Sequence, residues 1–94
     1  MAHIPYQELA KRVQGAEVKV KPGSLWHHWR DPEQRYRVIR VGLDEATETL
    51  VVVYEMLVEP QPVVWVRPLR GPTGWLTPVS HKGAEVARFQ PVAS

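Results

Sequence analysis

Cysteine is absent from the 94 residues, which removes disulfides, thiol nucleophiles and thiolate zinc sites together. No apolar run approaches the roughly 18 consecutive residues of a membrane-spanning helix. The opening Met1-Ala2-His3-Ile4-Pro5 lacks the basic and apolar blocks of a secretion leader. A cytoplasmic protein with no membrane partner is therefore expected. Lysine and arginine never gather into a run, so a formal charge of +2 permits nucleic-acid binding without arguing for it. Nucleophile elbow, phosphate loop and spaced carboxylate pair are all missing. No catalytic residue, metal or cofactor can be assigned, and the expectation leans away from an enzyme.

What is present fits one small domain over residues 1–94, with a radius of gyration of roughly 12 Å and somewhat over 60% of its unfolded surface buried. It divides into a helical N-terminal extension (1–21), a β core (22–90) and a tail (91–94). Charge is segregated: eight Lys/Arg against four Asp/Glu in residues 1–43, five acids and no base in 44–66, four bases against one acid in 67–94. The simplest reading is that basic and acidic strands lie side by side and neutralise each other.

Pro5 to Gly15 reads as a short helix, with Pro5 in the first turn, Glu8 early, Lys11 and Arg12 late, and Gly15 able to end it. Its apolar stripe is Tyr6, Leu9, Ala10 and Val13. From Gly23 the period changes to two and the residues become β-branched and aromatic. Strands are expected at about 24–30, 36–43, 49–57, 63–66 and 87–90, with turns at 31–34 and 44–48. A tight loop spans Gly71 to Gly74, and Trp75 to Val79 reads as a helical turn or a short strand.

The simplest register of the second and third strands sets Leu43 opposite Thr49, Val41 opposite Val51, Ile39 opposite Val53 and Arg37 opposite Glu55, with Tyr36 facing Met56 and Val38 facing Tyr54. Leu50 to Tyr54 is apolar throughout, which suits a strand covered on both faces. One face would close into a barrel and the other would lie under the helix or the Trp75 segment. The fold expected is mainly β: a small antiparallel SH3-like barrel or roll of about five strands with a short N-terminal α-helix.

Several motifs stand in a fixed order: Pro22-Gly23-Ser24-Leu25-Trp26-His27-His28-Trp29-Arg30, Tyr36-Arg37-Val38-Ile39, Thr47 ahead of Leu50 to Tyr54, Trp65-Val66-Arg67-Pro68-Leu69, and Val86-Ala87-Arg88-Phe89. Together they resemble a bacterial family catalogued as domain of unknown function 1653, over Pro22 to Phe89. The resemblance implies a small β-rich domain with His28, Tyr36, Thr47, Tyr54, Trp65, Arg67, Pro68, Arg88 and Phe89 at signature positions. Trp26 and Trp29 stand where the family more often has tyrosine, Asp44 where it often has histidine, and Trp75 where it has phenylalanine. It implies no reaction.

His27 and His28 are adjacent, so on a strand they face opposite ways and do not share a metal. A metal site would need His28 with His81 or with carboxylates from elsewhere. Trp65 and Arg67 are two apart and project to one side of a strand that Pro68 ends. Such a pair can stack on a base or clamp an anion. Equally, Arg67 could pair with Glu55 or Glu48 while Trp65 enters the core. Trp26, Trp29, Tyr36, Tyr54, Trp65 and Trp75 are many rings for so small a core, so one or two should be partly exposed.

The leading expectation is a non-enzymatic binding or adaptor module whose ligand site is His28, Trp29, Tyr36, Trp65 and Arg67. A protein or peptide partner is favoured because the charge is balanced. A single-stranded nucleic-acid binder is the alternative, and a small hydrolase or lyase using His28 as base a further one. Monomer and homodimer are both open.

Overall fold

In the computed structural model, which describes residues 4–92, the chain builds α1 (Tyr6–Lys19), β1 (Leu25–His28), β2 (Asp31–Asp44), β3 (Thr49–Met56), β4 (Val63–Pro68), β5 (Val79–His81), β6 (Ala84–Val86) and β7 (Phe89–Pro91). Five strands form one antiparallel sheet in the order β4-β3-β2-β1-β7, and β5 with β6 makes a separate hairpin. The chain is thus mainly β with one helix. The sheet, however, is open. Its edge strands β4 and β7 share no ladder, and the expected barrel closure is replaced by a side-chain contact, the Arg67 guanidinium of β4 lying 5.3 Å from the Phe89 ring of β7. An open sheet covered mainly on one face is flatter than a closed barrel: the extents are 43 × 37 × 22 Å and the radius of gyration is 14.2 Å, above the expected value.

Near Tyr36 the expected register holds, with Tyr36 on Met56, Arg37 on Glu55 and Val38 on Tyr54. Beyond it a β-bulge at Ile39 shifts the pairing by one, so Val41 meets Val52 and Leu43 meets Leu50. The extra residue is what allows Val38 and Val41, three apart, to be buried together. Without the bulge one of the two would face solvent.

Two other departures are also local. The β1/β2 reversal sits at Trp29-Arg30, because His28 pairs with Asp31, while Pro32, Glu33 and Gln34 bulge from the β1 ladder. The β5–β6 hairpin turns on Lys82 and Gly83, both at positive φ (52° and 78°), the geometry of a two-residue turn that matches strand twist. Lys-Gly is a weaker signal for that turn than Asn-Gly.

Helix α1 runs on through Gly15, which does not end it. Its buried positions are Leu9 and Ala16, with Val13 packed against the core, and Val20 just beyond is fully buried. Of the expected stripe, Tyr6 is 87% exposed. A glycine in mid-helix costs about 1 kcal/mol relative to alanine, and burial of Ala16 and Val20 offsets it. The helix and the Trp75 loop contribute to the same cluster, with Val38, Val41, Val52, Tyr54, Leu69 and Phe89. Both lie on the same face of the sheet, and the reverse face, instead of being covered as expected for a strand apolar throughout, leaves Val64 and Val66 of β4 exposed.

Past Ser24, β2 has no neighbour on its β1 side. There the Glu17 carboxylate of α1 accepts the Val41 N–H (3.0 Å), with Arg40 Nε 3.9 Å away. Glu17→Ala would leave a buried amide without an acceptor, at about 1–3 kcal/mol. Urea unfolding should show a lower midpoint with an unchanged m value, and an unchanged midpoint would mean that water caps the strand equally well.

Candidate functional site

Phe89, the single phenylalanine of the chain, organises the concave face of the sheet. Its ring stacks on Trp75 with centroids 3.9 Å apart and planes 2° from parallel. His28 and Tyr36 meet it edge to face at 5.3 Å and 5.7 Å, and the Arg67 guanidinium caps it. Residues from β1, β2 and β4 are thereby brought around one side chain of β7.

Trp75 arrives through a loop that only glycine permits. A Cβ at Gly74 would sit 2.5 Å from backbone atoms of Arg70, so no side chain fits there. The loop is tied by Trp75 N–H to Pro68 O (2.8 Å), Leu76 N–H to Leu69 O (2.9 Å) and the Thr77 hydroxyl to Gly71 O (2.6 Å). Trp75 to Val79 is accordingly a turn leading into β5.

The same loop holds two arginines by its carbonyls. Arg67 donates through Nη1 to Thr73 O (2.6 Å), and Arg88 donates through Nε to Thr77 O (3.3 Å) and through Nη2 to Pro72 O (3.2 Å). Neither forms an ion pair among the described residues. Glu55, one expected partner of Arg67, instead pairs with Arg37 at 3.6 Å on the other face, a single cross-strand neutralisation between β2 and β3. The Arg67 Nε is buried and has no acceptor.

His28 Nδ1 accepts the Arg30 N–H at 3.2 Å, which leaves the neutral imidazole's hydrogen on Nε2 as a donor. Partial burial, then the charges of Arg67, Arg88 and Arg30, hold its pKa below 6.5, against a smaller opposing effect of Asp31. Tyr36 is pushed above its ordinary value, first by burial and then by Tyr54 and Asp31, so its phenol stays protonated. At neutral pH the groups here are therefore donors: an imidazole N–H, a phenol O–H and guanidinium N–H groups.

Of the expected site residues, His28, Tyr36 and Arg67 converge on Phe89. Trp29 joins at the margin, 6.0 Å from His28 and 4.8 Å from His81, with the Arg30 guanidinium 5.1 Å from its ring. Trp65 lies on the same face of β4 as Arg67, opposite Tyr54, and is half exposed. No ring contact links it to the cluster. Arg88 and Phe89, absent from the expected ligand set, are integral to it; their position beside each other in the Val86 to Phe89 motif was the available signal. The Ser24 hydroxyl accepts the Trp26 Nε1 hydrogen (2.8 Å) and the Thr47 hydroxyl pairs with that of Thr49 (2.7 Å). A groove of about 1020 Å³ between α1 and the β2–β3 hairpin, lined by Tyr6, Leu9, Leu43 and Asp44 among others, contains none of the site residues.

The histidine gives a pH test. Its folded pKa lies below its unfolded one, so the unfolded chain takes the proton first as pH falls. This group's contribution to stability is intact above pH 6.5 and declines as pH drops through 6.5 until the folded pKa is passed. NMR titration of the His28 ring should give a midpoint below 6.5 that rises in Arg67→Ala. A midpoint that ignores Arg67 would show that burial and the other two arginines set it.

No helix among the described residues is long and apolar enough to cross a membrane, and no group of three or more metal-ligating side chains gathers there. No curated protein and no solved structure matches the chain. The model of DUF1653, described as a protein of unknown function, does match, over residues 24–91. That span begins after α1 and takes in the whole sheet, the Trp75 loop and the cluster around Phe89, and on that match this chain belongs to the DUF1653 family of proteins of unknown function.

Proposed function

We propose that this chain is a non-enzymatic binding or adaptor module, and that its aromatic and basic face takes a carboxylate-bearing protein or peptide ligand. The observation that carries this reading is the state of Arg67. A half-buried guanidinium normally meets a carboxylate; among the described residues this one is held only by a loop carbonyl on Nη1 and an aromatic ring, which leaves Nη2 as the donor open to an outside acceptor, while Nε is buried out of a ligand's reach. Arg88 and Arg30 add positive charge without ion-pair partners among the described residues. His28 Nε2 and the Tyr36 hydroxyl add neutral donors. An acceptor with negative charge, supplied from outside, fits that set.

A peptide is preferred to nucleic acid because the whole chain carries only +2 and Glu55 already neutralises Arg37, leaving little long-range attraction for a phosphate backbone. Half-exposed Trp65 beside Arg67 supports the second reading, stacking of single-stranded nucleic acid.

Tryptophan fluorescence distinguishes the two. Glutamate-containing peptides should change the emission, and Arg67→Ala should weaken binding by about 1.5–3 kcal/mol, the worth of hydrogen bonds to a charged group, while far-UV circular dichroism stays native. Arg67→Lys, which keeps the charge and loses the planar fork, should fall between. Quenching by single-stranded RNA or DNA that falls steeply between low and high salt would favour the second reading, and unfolding of both variants would make Arg67 a structural residue.

A further inference from the structure

Strand β4 is paired on one side only, with β3, and none of the other backbone hydrogen bonds among the described residues involves Val63 to Arg67. Edges of this kind are normally blunted by a charge, a proline, a bulge, shortness or a covering segment. Elsewhere the sheet follows that rule. The opposite edge, β7, is three residues long and ends at Pro91, and the free stretch of β2 is capped by Glu17. On β4 such devices stand only at the ends, Pro62 before the strand and Arg67-Pro68 closing it; across Val63 to Val66 the residues are Val-Val-Trp-Val with no charge, proline or bulge, and exposure is 39%, 56%, 50% and 62% along the run. Side chains on both faces of the strand are open, Val63 and Trp65 on the concave side, Val64 and Val66 on the other.

The next residue of the same strand is Arg67, on the concave side with Trp65. Apolar edge and unpaired cation are therefore in one line. We propose that an extended, acidic segment of another protein adds to the free edge of β4 as a further strand, its apolar side chains against Val63 to Val66 and a carboxylate on Arg67. The proposal rests on the binding-module reading and specifies the form in which the ligand arrives.

Charge complementarity selects this occupant over a second copy of the chain. Antiparallel self-pairing centred on Val63 to Val66 sets each Arg67 opposite Val63 or its neighbours, with no acid to meet it. The register that would bring Glu59 of one copy opposite Arg67 of the other runs through Pro60 and Pro62. Neither has an N–H to donate, so that ladder cannot form. Glu55 is on β3 and already holds Arg37. A self-dimer leaves the cation unmatched, whereas a foreign strand with an acid at the right position matches both features.

The test uses the full 15N-labelled chain and a series of acetylated, amidated octapeptides that alternate valine and threonine, with one aspartate moved through the positions. Sodium acetate serves as a probe of the cation alone. One register should bind best and shift the amide signals of Val63 to Arg67. Binding should weaken at least tenfold in Arg67→Ala, and at least tenfold when alternate peptide amides are N-methylated, since that removes ladder donors. If the acidic peptides or acetate shift His28, Tyr36 and Arg67 while the Val63 to Val66 amides stay still, or if N-methylation costs nothing, the strand-addition proposal is overturned and the binding site stands. If neither probe moves Arg67, both fall. If sedimentation shows a dimer that Val64→Lys dissociates, the occupant is a second copy and the proposal is overturned in that way.

Discussion

The stack of Phe89 on Trp75 is the contact on which the remaining architecture depends. Phe89 sits on a three-residue edge strand and Trp75 on a loop, neither of which would hold a position alone. Pressed together at 3.9 Å they form a single apolar block under the sheet. Tyr54 meets that block edge to face from β3, and Trp26 approaches from β1. Aromatic pairs contribute about 0.5–1.5 kcal/mol beyond their buried area, so a cluster of this kind compensates for the absent barrel ladder. It explains how an open five-stranded sheet can be curled enough for β4 to touch β7 through Arg67.

Arg67 consequently has two relations to the fold. Its Nη1 anchors the Trp75 loop, and its guanidinium covers the Phe89 ring; both are structural. Yet the charge itself is unmatched and Nε lacks an acceptor. A residue needed only for packing could be neutral, and one needed only as a tether could face solvent. The aromatic platform and the carbonyl anchor together hold the guanidinium in one orientation, which under the proposed binding role would lower the ordering cost of a ligand.

Much of this was legible in the residues. Arg37 against Glu55, and Tyr36 and Val38 against Met56 and Tyr54, follow from alternation alone, because a one-residue slip would turn every apolar side chain outward. The placement of Trp65 and Arg67 on one side of a strand follows from the period of two. The bulge at Ile39 was not legible, since Val38, Ile39 and Val41 are equally apolar and only the position of α1 decides which are buried. The end of α1 was missed for the same reason: Gly15 looks like a stop until Ala16 and Val20 have a core to enter.

By itself the sequence determined the local periods, the tight Gly71 to Gly74 loop, the pairing of Arg37 on β2 with Glu55 on β3, and the candidate set of aromatic and basic residues. These depend on backbone sterics and on the alternation of side chains, which neighbours in the chain already specify. Tertiary structure alone decided which of those residues meet. His28, Tyr36, Arg67 and Arg88 come from four different strands or their flanks, and they converge because Phe89 and Trp75 stack. Long-range contacts of this kind depend on how the sheet curls and what covers it, and that is settled only when the whole core packs.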